Sequence, residues 1–124
     1  MIALAMLFAA QAAAAAPVDQ VVVIGQRLDR FRAQVAFGKS GPQCRIKVST
    51  GDAEIDRVGC QAIEVCWPAF DSRMAATRDR AIKPSTRKIM QSALNDELRS
   101  CFAGQTKAGV AELAARRTAA GGGE

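Results

Sequence analysis

The sequence predicts a small α+β domain, stapled by disulfides, with a strand and a β-hairpin packed on two or three helices. Three observations predict it. Apolar residues alternate with polar ones over 31–37 and again over 44–49, two segments separated by a turn-rich stretch. Apolar residues then recur at helical spacing through 53–67 and 86–102. Four cysteines are spread through the same region, and the 124-residue length allows one domain with no room for two independent cores.

Residues 1–15 read as a secretory signal peptide. An uncharged apolar run from Ile2 to Ala10 leads into small residues, and cleavage after Ala15 places Ala13 at −3 and avoids Pro at +1. The run stops at Pro17-Val18-Asp19, short of the roughly 20 apolar residues a membrane span needs. The expectation is a periplasmic or secreted protein with no stable membrane insertion after cleavage. Residues 16–104 form the predicted domain, and 105–124 an Ala/Gly-rich C-terminal tail: 107–119 are compatible with a helix but have little apolar bulk with which to dock, and Gly121–Glu124 fray.

Val21, Val22, Val23 and Ile24 are β-branched throughout and end at Gly25, which reads as a strand, buried on both faces or available for pairing with a partner. In the hairpin, Phe31, Ala33, Val35 and Phe37 share a face with Cys44, Ile46 and Val48, and Gly38–Gln43 turn the chain. Thr50-Gly51-Asp52 stop the second strand. Asp52 or Thr50 caps a helix from about Ala53, with Asp52, Glu54 and Asp56 at its positive end. Ile55, Val58, Ala62 and Cys66 share one stripe of this helix, Cys60, Ile63 and Trp67 a neighbouring one, and Pro68 is expected to end it. A short exposed helix is expected within 71–83. Another follows from about Thr86 to Phe102, with Gly104 as its C-cap.

Twenty-five residues are Ala, and beyond residue 16 only 26 side chains are Val, Ile, Leu, Met, Phe or Trp, a modest core that disulfides would help. An even number of Cys in an exported chain, with no CxxC pair, reads as two bridges rather than zinc or a redox pair. Cys44 opens an inward strand stripe. Cys60 lies on the helix that returns over it. Cys66 faces elsewhere on that helix, and Cys101 lies on the apolar face of the late helix. These placements favour Cys44–Cys60 with Cys66–Cys101, and the rival is Cys44–Cys66 with Cys60–Cys101.

The stretch from Cys44 to Cys60 carries Ser49-Thr50-Gly51, then Ile55-Asp56, then Cys60, and resembles a segment of the TonB C-terminal domain family over about residues 38–67. The resemblance implies a hairpin followed by a helix and adds weight to a Cys44–Cys60 bridge. It implies a piece of fold and no active site. Asp19–Arg27 is similar to the start of TonB-dependent outer-membrane receptors, in which such a stretch docks as an added strand. Taken whole, the chain looks like the small secreted proteobacterial proteins of unknown function.

The composition argues against an enzyme. There is no His, and no nucleophile motif, phosphate loop or metal cluster, so no catalytic, cofactor-binding or metal-ligating residue is assigned and no cofactor is expected. A small protein-interaction or accessory module of the cell envelope is the preferred reading, with an unknown envelope protein as its partner and no nucleic acid. The alternative is a cationic binder of anionic envelope components. Residues 71–124 hold 10 basic residues against 6 acidic ones, and Arg73, Arg78, Arg80, Lys83, Arg87 and Lys88 are the candidate anion-binding surface.

Overall fold

The computed structural model describes residues 18–121, so the predicted signal peptide of residues 1–15 lies outside the described residues. The elements run α1 (Val18–Leu28), β1 (Arg32–Gly38), β2 (Gly41–Val48), α2 (Ala53–Ala76) and α3 (Pro84–Gly121). The fold is α+β: one antiparallel two-stranded sheet, three helices, and two disulfides, Cys44–Cys60 and Cys66–Cys101.

The hairpin pairs Val35 with Cys44 and Ala33 with Ile46, so these alternating residues share a face. The stripe is not inward along its length, however, because Phe37, Ile46 and Val48 are exposed, the small sheet extending beyond the helices that could cover them. Its turn is tighter than the glycine-rich sequence suggests. Lys39 and Ser40 alone connect the strands, and Gly41, at φ 98°, opens β2 in a conformation that side-chain-bearing residues avoid.

Val21–Ile24 are not a strand. They lie within α1, where Val21, Ile24 and Leu28 form a stripe at i, i+3 and i+7 that packs into the core, with Ile24 fully buried. Strand propensity is a weak preference, and tertiary burial of a 3.6-period stripe overrides it here. The proposed docking strand at Asp19–Arg27 is therefore a docked helix.

Pro68 does not end α2, which continues to Ala76. A proline inside a helix costs about 3 kcal/mol. Here both flanks of Pro68 are pinned, by the Cys66–Cys101 disulfide and by the Arg73–Glu97 ion pair to α3. The separate helix expected within 71–83 is thus the end of α2 followed by a turn.

The tail prediction is also corrected. Residues 105–121 continue α3 through Gly104. They supply Val110, Leu113 and Ala114, which meet Ile24, Ile55 and Val58 in the main core. Val110 and Leu113 supply the little bulk this segment has. Small residues let it approach closely: a Cβ on Gly109 would lie 2.8 Å from Val58 Cγ1. The helices α2 and α3 form a long antiparallel pair, tied at Cys66–Cys101 and closed at the far end by Arg117 and Arg116 on Asp52 and Glu54.

Candidate functional site

Three places in the fold gather chemistry. The first is the junction between β2 and α2, where Ser49, Thr50, Gly51, Ile55, Asp56 and Cys60 fall together. Asp56 is almost wholly buried and its carboxylate is saturated. Oδ2 accepts the Ser49 hydroxyl, and Oδ1 accepts the Thr50 amide at 2.8 Å and the Thr50 hydroxyl at 2.7 Å. Burial pushes this carboxyl up, yet the three hydrogen bonds outweigh burial and hold it below the usual aspartate value. Asp52 caps α2 by accepting from the amides of Glu54 and Ile55, and its other oxygen takes Arg117 at 2.6 Å. Asp52 too is lowered, burial being outweighed by Arg117 and the two amides. Every oxygen of these two carboxylates has a partner, so the junction works as a structural clasp between β2, α2 and the end of α3.

The second place is a groove of about 640 Å³ beside β1. The sheet has only two strands, so the edge of β1 away from β2 has no strand partner among the described residues. Consecutive residues Arg32, Ala33, Gln34 and Val35 wall the groove along that edge. Ala62, Ile63 and Trp67 of α2, with Phe31 and Phe102, give it a largely apolar lining. Gly59 sets the depth: a Cβ there would lie 2.5 Å from the Phe31 ring, so only glycine lets that ring lie on α2. Trp67 tilts against Phe70 with ring centroids 5.1 Å apart. Its indole Nε1 is buried without an acceptor, the one such buried side-chain atom among the described residues.

The third place is the turn between α2 and α3. Of the predicted anion-binding residues, the structure sets two to internal work. Arg73 pairs with Glu97. Arg87 donates to the carbonyl oxygens of Thr77, Asp79 and Ile82 at 2.8, 3.0 and 3.1 Å and so caps the end of α2. The other four, Arg78, Arg80, Lys83 and Lys88, are exposed and make no ion pair among the described residues.

All four cysteines are bridged as the favoured pairing had them. Residues 21–24 offer no partner strand; both hairpin strands have an outer edge without a strand partner among the described residues, and the groove is lined by β1. Phe31, Ile63, Trp67 and Phe102, which the sequence places on apolar stripes, are half-buried groove residues. The second stripe on α2, offset from the one that meets α3, was the available signal.

Comparison with protein-family models, with curated proteins and with solved structures finds no match for this chain. Among the described residues no cluster of His, Cys, Asp or Glu is arranged to hold a metal ion, and no helix is long and apolar enough to cross a membrane. The two disulfides suit a protein that folds in an oxidising, extracytoplasmic setting.

Proposed function

We propose that this chain is a non-enzymatic interaction module of the cell envelope, exported by its N-terminal signal and working through the groove beside β1. The occupant is an extended segment of a partner protein that adds a third strand to the hairpin and places an apolar side chain over Trp67. The observation that carries this reading is the coincidence of a strand edge without a partner and an apolar groove along the same four residues, 32–35. Main-chain hydrogen bonds along an edge give affinity, and the apolar lining selects the side chain. The TonB-like junction contributes scaffold: it fixes β2, and hence β1, relative to α2.

Trp67 is the sole tryptophan, so its emission reports directly on the groove. Peptides selected from a random library on the immobilised oxidised protein are expected to carry apolar residues at alternate positions. They should shift Trp67 emission saturably, and Val35→Asp, which lines the wall, should abolish the shift while leaving the helical circular dichroism intact. Selected peptides that bind without moving Trp67 emission would reject the groove as the site.

A further inference from the structure

The turn between α2 and α3 lies at the other end of the molecule from the main core, and it has properties that the groove reading does not use. Nineteen residues separate Val58 from Thr77, about 28 Å along the helix axis at 1.5 Å per residue. Residues 77–90 contain five basic side chains and a single acidic one, Asp79. The rest of the basic C-terminal half is largely neutralised. Arg116 and Arg117 are paired with Asp52 and Glu54, Arg73 with Glu97, and Arg99 stands 4.0 Å from Asp96. Within the C-terminal half, the positive charge left without an ion pair among the described residues therefore gathers at this tip, Lys107 apart; the hairpin holds a second unpaired set, Arg32, Lys39, Arg45 and Lys47. The first turn of α3, where a helix favours acidic side chains, contains none, and Lys83 and Lys88 flank it.

The tip is also rigid. Arg87 ties the turn through three carbonyls, Asp79 Oδ1 accepts the Ala81 amide at 2.9 Å, and buried Thr77 accepts Gln91 Nε2 at 3.0 Å. Arg78, Arg80 and Lys83 are thus presented on a preformed loop, which lowers the ordering cost of a contact. Beside them stand two exposed apolar side chains, Ile89 at 71% and Met90 at 38%.

We propose that this tip docks the protein on an anionic phospholipid bilayer. Arg78, Arg80, Lys83 and Lys88 face the phosphate layer, and Ile89 enters the boundary between headgroups and acyl chains. Charge complementarity selects the anionic surface. The exposed isoleucine among the cations favours a bilayer over an acidic protein, because a headgroup boundary takes up an isolated apolar side chain. The partner surface of the groove is then held at the membrane by a separate part of the fold.

The test is co-sedimentation of the full, oxidised chain with vesicles of phosphatidylcholine alone and of phosphatidylcholine mixed equally with phosphatidylglycerol. Any binding through residues 1–17 contributes to both, so the difference between the two vesicles is the readout. The proposal expects tighter binding to the anionic vesicles, lost in about 0.5 M salt, where exposed charges are screened. Each of Arg78→Gln, Arg80→Gln, Lys83→Gln and Lys88→Gln should weaken it by about fivefold. Ile89→Ser should weaken it at constant charge, and because Ile89 is exposed this variant keeps the fold. Equal binding to both vesicles, or anionic binding unchanged in the fourfold glutamine variant, would overturn the proposal. So would binding of poly-glutamate through the tip without any preference for anionic vesicles, which would assign it to acidic polypeptides. None of these outcomes bears on Trp67, so the groove stands or falls separately.

Discussion

Replacing Asp56 gives the most demanding test of how the hairpin is held on α2. Asp56→Ala removes the acceptor for three donors at once: the Ser49 hydroxyl, the Thr50 amide and the Thr50 hydroxyl. Hydrogen bonds to a charged group contribute about 1.5–3 kcal/mol each, and donors left half-solvated recover part of that from water. A net loss of about 3–5 kcal/mol follows, a third or more of the stability of an ordinary domain. Asp56→Asn keeps an acceptor for Thr50 and loses the charge, so it should cost about 1–2 kcal/mol. The pH dependence supplies the second arm. The folded Asp56 carboxyl lies below its ordinary value of 3.8, so its contribution is present at neutral pH and lost as pH falls through that folded value. Urea unfolding of the oxidised protein at pH 7 and pH 3 reads both. The parent should lose stability on acidification, and Asp56→Ala should lose less. An Asp56→Ala variant within about 1 kcal/mol of the parent, or one with the parent's full acid sensitivity, would refute the clasp.

Other expectations follow from the same contacts. Leu113→Ala should cost about 2–5 kcal/mol in urea unfolding, because Leu113 is fully buried beside Ile24 and Ile55; a frayed tail would show no cost. Cys101→Ala should release a single thiol, mapped by labelling and mass spectrometry to Cys66, and lower stability by about 3–4 kcal/mol through a 35-residue separation. Gly59→Ala should cost about 1–3 kcal/mol, since its Cβ would overlap the Phe31 ring, and should alter Trp67 emission because Phe31 and Trp67 line the same groove.

The parts of the fold that a local pattern determines were legible. The period-two stripes of 31–37 and 44–49 predicted the hairpin face, and the two stripes on α2 predicted which cysteine met which element. What escaped depended on distant partners. Val21–Ile24 satisfy strand propensity as well as a helical stripe, and packing on distant partners, Ile55 and Val58 of α2 and the second half of α3 some 90 residues on, decides between them. That half was itself unreadable as core, because Gly109 and Ala114 act through close approach, a property invisible in hydrophobic bulk. Pro68 inside α2 follows the same logic: a local helix breaker yields where the disulfide and α3 hold both flanks. The basic surface was legible as a composition, but which cations stay unpaired depends on ion pairs spanning up to 65 residues. The groove was hidden because half-buried aromatics and core aromatics look alike in sequence.

The central claim is that the edge of β1 receives an extended strand. Amide exchange and chemical-shift mapping of the protein with a selected peptide test it most directly. The account predicts new protection confined to amides within Arg32–Ala36, together with shifts of the Trp67 ring resonances as the peptide covers the groove that Trp67 lines. Perturbations centred on β2, or on residues 78–90, with β1 and Trp67 unchanged, would contradict it.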